Sequence, residues 1–155
     1  MCKRKQINKL LCGCLMAATI CFIWGNSLLN GETSGDISGG FSQWLGQFIP
    51  FLSPDSPNGH YIIRKCAHFS IFFLLGAESC CFFLMGGKGK PLLRSIALAA
   101  AVASIDESIQ RFIPDRYGCL SDVLLDSCGA ACGIGLLFWG YTLLKRKKQR
   151  QERTL

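Results

Sequence analysis

The chain has 155 residues, 50% hydrophobic and 17% charged, with a net charge of +7. That length allows one domain, and several apolar runs of about 20 residues, enough to cross roughly 30 Å of hydrocarbon, argue against a soluble bundle, which would have little polar surface to show water. The positive balance does not mark a nucleic-acid binder, because the basic residues cluster at the ends of the apolar runs.

The first run, Leu10 to Leu29, follows Lys3, Arg4, Lys5 and Lys9. A basic start also opens a secretory signal, but the run continues without an A-x-A cleavage site, so a retained helix is expected, with Trp24 as an interfacial anchor near its outer end. Asn30 to Gly40 reads as a loop from its glycine and serine content. Phe41, Trp44, Leu45, Phe48 and Ile49 then recur at helical spacing opposite Ser42, Gln43, Gly46 and Gln47. That predicts an amphipathic helix too short to span, suited to the outer headgroup region or to packing on the bundle. Pro50, Pro54 and Pro57 break its continuation.

The second run, Tyr61 to Met85, opens with charge. On a helix, Arg64, Lys65 and His68 share one broad face by their three- and four-residue spacing. Arg64 and Lys65 suit snorkelling to headgroups, and a histidine can be merely hydrogen-bonded inside a bundle. Even so, His68 lies about a turn deeper, where ionisable groups are costly and mark function. Glu78 lies further in, toward the cytoplasmic side, where a pairing role is all that can be assigned to it.

Leu92 to Gln110 is the weakest run, fully apolar only from Ile96 to Ile105, and rich in alanine. The last, Leu120 to Leu144, carries Gly129 and Gly133 at the spacing that lets membrane helices approach closely, which is expected to draw the third and fourth spans together. With four crossings, the basic residues flanking the first run, the second turn (Lys88, Lys90, Arg94) and the C-terminus (Lys145 to Arg153) share one side. The positive-inside rule makes that side, and both termini, cytoplasmic. The ten cysteines form no C-x-x-C and have no histidine placed with them, so they read as small hydrophobes packed in the spans, with Cys66 and Cys119 near outer ends.

Between the last two runs, Ser104 to Asp126 concentrates Asp106, Glu107, Gln110, Arg111, Asp115, Arg116, Asp122 and Asp126. On a helix Asp106 pairs with Gln110 and Glu107 with Arg111; Pro114 closes that helix, Asp115 to Gly118 turns, and Ser121 or Asp122 caps the next. A solvated loop accounts for Asp115 and Arg111. It does not account for Asp126, a full turn inside a span.

R-K-C-A-H-F at Arg64 to Phe69, D-E-S-I-Q-R-F-I-P-D-R at Asp106 to Arg116 and S-D-V-L-L-D-S-C-G-A-A-C-G at Ser121 to Gly133 resemble the signature blocks of VanZ-like proteins. These are small bacterial multi-span membrane proteins, named for a member associated with teicoplanin resistance. W-G-N-S-L-L-N-G-E-T-S, from Trp24, is similar to the usual end of their first span, whereas Ser70-Ile71 and Asp115 depart from the family pattern.

The expected fold is an all-α integral membrane four-helix bundle, one domain over residues 1–155, with a polar pocket at the outer face. Arg64, Lys65, His68, Asp106, Glu107, Gln110, Arg116, Asp122 and Asp126 are the candidate binding residues. Two functions are open. In the first, Arg64, Lys65 and Arg116 hold an anionic headgroup or lipid-linked cell-wall precursor, and the resemblance adds a contribution to teicoplanin tolerance. In the second, an intramembrane hydrolase or transferase uses His68 as general base with Glu107 and Asp122 among the carboxylates that orient it or act as acid. No nucleophile motif or complete metal set stands out, so neither metal nor cofactor is expected; the partners are membrane lipids and not nucleic acid.

Overall fold

Backbone groups in hydrocarbon have no water to bond, so apolar runs satisfy them internally as helices. The computed structural model has four: α1 (Cys2–Ser27), α2 (Gly59–Gly86), α3 (Pro91–Gln110) and α4 (Leu120–Arg153). It describes residues 2–30, 59–87, 89–114, 116 and 118–153, together with 33, 36, 39, 40, 43, 44 and 46–49. Gly87 and Gly89, at φ 64° and 84°, turn the chain from α2 into α3, where Pro91 occupies the first turn.

Contacts along the helices give their directions. Lys9 Nζ stands 5.0 Å from the centre of the Phe82 ring, and the Cys12 thiol donates to the Glu78 carbonyl at 3.4 Å. Trp24 Nε1–H donates to the Val102 carbonyl at 3.4 Å, and Ser27 Oγ to Asp106 Oδ1 at 2.6 Å. Hence α1 runs antiparallel to α2 and parallel to α3. Lys65 meets Asp122, His68 faces Asp126, and the Phe69 and Phe73 carbonyls back onto Gly129 and Gly133, so α2 and α4 run parallel. One end of the bundle, the polar end, therefore gathers the last turns of α1 and α3 and the first turns of α2 and α4.

Lipid tails are as apolar as leucine, so helices in a membrane associate through close packing and interhelical hydrogen bonds. The tightest seam is α2 against α4. A Cβ at Gly129 would lie 2.5 Å from the Phe69 carbonyl oxygen, and one at Gly133 or Gly76 would overlap the carbonyl of Phe73 or Ala130. Phe72, Leu75, Ala103 and Ala130 fill the centre, with Ile23, Ala99 and Val102. Leu10, Leu15, Phe22, Leu93, Leu124, Leu136 and Leu144 stay exposed, as a lipid-facing surface requires.

Several expectations change. The small residues of α4 bring it against α2 rather than α3, because Gly129 and Gly133 face the Phe69 and Phe73 carbonyls. Lys3–Ser27, Tyr61–Gly86 and Leu120–Arg153 are long and apolar enough to cross a membrane. The expected fourth span, α3, carries Arg94, Asp106 and Glu107 within 20 residues and joins the bundle by turning Ser95, Ala99, Val102 and both carboxylates inward. The expected loop after Asn30 is helical at Thr33, Asp36, Gly39 and Gly40, and the Asn30 side chain accepts the Thr33 N–H at 2.9 Å as an N-cap. Trp24, expected as an interfacial anchor, donates its indole N–H to the Val102 carbonyl of α3. Of the cysteines only Cys80 is buried among the described residues; Cys14, Cys21, Cys66, Cys119, Cys128 and Cys132 are exposed.

Of the short helix expected from Phe41 to Ile49, Phe41, Ser42 and Leu45 lie outside the described residues. Gln43, Trp44 and Gly46 are helical, and the exposed Trp44 and Phe48 rings meet edge to face at 5.6 Å. Pro50, Pro54, Pro57, Asp115 and Tyr117 also lie outside the described residues.

Candidate functional site at the polar end of the bundle

Because α2 and α4 start at the same end, their opening turns present Lys65 with Asp122, then His68 with Asp126 one turn deeper. Lys65 Nζ bonds Asp122 Oδ1 and sits 5.1 Å from the centre of the Tyr61 ring. His68 Nδ1 lies 3.7 Å from Asp126 Oδ1, beyond hydrogen-bond length. Asp126 is fully buried, and neither of its carboxylate oxygens has a hydrogen-bond partner among the described residues.

The ends of α1 and α3 supply the other wall. Asp106, fully buried, accepts Ser27 Oγ on Oδ1 at 2.6 Å and Gln110 Nε2 on Oδ2 at 2.9 Å; that Gln110 nitrogen also lies 3.2 Å from Ser27 Oγ. The pairing expected between Asp106 and Gln110 is present. The one expected between Glu107 and Arg111 is not: Glu107 turns inward and accepts the Cys119 backbone N–H on Oε2 at 2.8 Å, while Arg111 is exposed. Gly118 allows this fold-over, since a Cβ there would overlap the Glu107 carbonyl. Asp122 does not serve chiefly as a cap; its carboxylate is taken by Lys65 and by Ser121 Oγ at 3.2 Å.

Arg116 is buried at 6% exposure, and its Nε and Nη2 have no hydrogen-bond partner among the described residues. Burial, and then the neighbouring Arg64, pull its pKa below the usual guanidinium value, against the opposing pull of Asp106 and Glu107. Arg64 itself is exposed. Thus all nine sequence candidates gather at this end, eight turned wholly or partly into the bundle and Arg64 at the rim.

Two participants were given no role in the site by the sequence reading. Ser27, fully buried, orients Asp106; its signal was a small polar residue closing an apolar run, which is too common to single out. Cys119 contributes a backbone N–H, which no side-chain pattern reports. His68, Asp106 and Asp126, from three helices, bring potential ligating atoms within 4.8 Å of one another, a grouping that their distance in sequence does not show. Glu78, outside this site, meets Thr19 of α1 instead of a cation.

This geometry sits in a chain whose residues 10–144 match the VanZ/LLP1 family model. The chain belongs to the VanZ/LLP1 family. The uncharacterized membrane protein YwnJ of Bacillus subtilis (strain 168) is 39% identical over 106 residues, 68% of this chain and 67% of YwnJ. No solved structure matches it. The matched region of this VanZ/LLP1 chain contains every residue of the polar end described above, and the protein is an integral membrane helical bundle.

Proposed function

We propose that this VanZ/LLP1 protein binds an anionic, lipid-linked component of the cell envelope at its polar end. The observation that carries the reading is Arg116, a buried cation with two unpartnered nitrogens, which a phosphate or carboxylate oxygen would satisfy in paired fashion. At the same end of the bundle, α2 and α4 form a largely apolar groove of about 370 Å³, with Lys65 at its rim and Tyr61, Phe69 and Leu125 along its walls. An apolar slot next to a cationic rim suits a ligand with a hydrocarbon chain and a charged head.

In the proposed topology α3 crosses with the other three helices, both termini are cytoplasmic and the polar end faces out. The basic N-terminal turn of α1 and the basic last turns of α4 lie together at the opposite end, as the positive-inside rule requires. A contribution to glycopeptide tolerance, teicoplanin included, would follow from sequestering or shielding a wall precursor.

The second reading, hydrolysis or group transfer on such a substrate, draws on His68 facing the Asp126 carboxylate, an arrangement that could orient a general base. One experiment separates the two. Purified protein is incubated with a lipid-linked wall precursor and with the same lipid lacking its charged head. Saturable binding of the first alone, without turnover and weakened in Arg116→Gln, is the expected result. Product release that stops in His68→Ala would favour the enzyme, and no binding to either would reject both.

A further inference from the structure

We propose that His68, Asp106 and Asp126 bind one divalent metal ion of the zinc or manganese class. One imidazole and two carboxylates, from α2, α3 and α4, hold their ligating atoms within 4.8 Å of one another. Bonds of about 2.0–2.2 Å place neighbouring ligands about 3 Å apart, so small side-chain rotations close the set. The 3.7 Å gap between His68 Nδ1 and Asp126 Oδ1 is too long for a hydrogen bond. It is short enough for both atoms to ligate one ion.

A second observation points to an occupant. Asp126 is fully buried, and neither oxygen has a hydrogen-bond partner among the described residues. A carboxylate left so inside a bundle is costly unless something positive meets it. Asp106 is prepared differently: Ser27 and Gln110 each donate to one of its oxygens, fixing its orientation and leaving a further lone pair on each. That is the outer support expected of a ligating carboxylate.

Charge balance favours the same ion. Lys65 answers Asp122, and Arg116 feels the fields of both Asp106 and Glu107. Asp106, Glu107 and Asp126 then share one guanidinium and one imidazole, and a divalent cation would offset the remaining negative charge while keeping His68 neutral. The imidazole favours a transition ion over calcium, which takes six to eight oxygens. Three protein ligands leave at least one position open to water or to an oxygen of a bound molecule.

The ion is tested alone, with no anionic ligand present, so the outcome does not depend on the proposed function. Detergent-purified full chain is stripped with chelator and titrated with Zn²⁺ and with Mn²⁺, following heat of binding and thermal unfolding. About one equivalent should bind and raise the melting temperature, and affinity should fall by roughly tenfold or more in His68→Ala and in Asp126→Asn, but not in Glu78→Gln at the far end of the bundle. Should those variants not fold, Co²⁺ bound to the unaltered chain should show ligand-field bands of nitrogen and oxygen coordination. Binding that persists in both folded variants, or that Glu78→Gln abolishes, would overturn the site, as would the absence of saturable uptake and of Co²⁺ bands.

Discussion

Both ends of the bundle carry ionisable side chains, and they hold them in opposite ways. At the far end, Lys3, Arg4 and Lys5 and the run from Lys145 to Arg153 are exposed, and the Lys148–Glu152 pair stands 79% and 64% in the open. At the polar end, Asp106 and Asp126 are fully buried and Glu107 and Arg116 nearly so. Solvated charges at a span's end cost little and orient the protein in the bilayer. Charges turned into the bundle cost much more, and survive where helices approach closely enough to give each a partner or a ligand. The glycine seam between α2 and α4 makes that approach possible.

The seam is the largest lever on this contrast. Gly133→Leu, driven into the Phe73 carbonyl, should cost about 3 kcal/mol or more by overpacking, whereas Gly140→Leu, with nothing within 4 Å of its Cβ position, should stay within about 0.5 kcal/mol. Thermal unfolding in detergent reads both, and equal effects would remove the seam's special role.

Next in size is the pair at the polar end. Asp122→Ala strands the partly buried Lys65 and should cost about 2 kcal/mol, between the values for exposed and buried pairs, while Glu152→Ala should cost under about 0.5 kcal/mol. Double-mutant cycles with the two lysines measure the difference.

Ser27→Ala should cost about 1 kcal/mol, the scale of one interhelical hydrogen bond in a membrane. Ligand binding should weaken too, because Asp106 loses its α1 partner. A variant with unchanged binding would confine Ser27 to structure.

The smallest effect belongs to Cys119, exposed just before α4. Hydrogen bonds from Ser121 pull its thiol below the ordinary range, against burial and the nearby Asp122 and Glu107. Thiolate therefore forms at lower pH than in an ordinary cysteine, and its alkylation profile should move up in Ser121→Ala. Labelling of intact cells by a membrane-impermeant maleimide checks orientation as well, since an outward polar end leaves Cys119 reactive.

Much of the fold was legible because apolar length and small-residue spacing are local properties. The Gly129/Gly133 pattern announced close packing, yet its partner, α2 rather than α3, depends on the direction each face turns in three dimensions. The polar end was legible in part because ionisable residues inside apolar runs are rare. Arg111 and Glu107 show the limit: their spacing permits a pair on an isolated helix, but burial of Glu107 and the folded-over Gly118 segment give that carboxylate a backbone donor instead. That His68, Asp106 and Asp126 share one pocket was legible, but the 4.8 Å spacing of their ligating atoms was not, since it depends on how three helices turn toward one another; Asn30 was obscured by the glycines around it although its side chain caps the helical turn at Thr33.

The central claim is that His68, Glu107, Arg116 and Asp122 act as one site. It is tested most directly by measuring binding of a lipid-linked wall precursor to His68→Ala, Glu107→Gln, Arg116→Gln and Asp122→Asn, singly and in pairs, at matched amounts of folded protein. One site predicts that each single substitution abolishes most of the binding and that pairing two adds little. Full binding in the folded single variants, or losses that simply multiply from one substitution to the next, would contradict it.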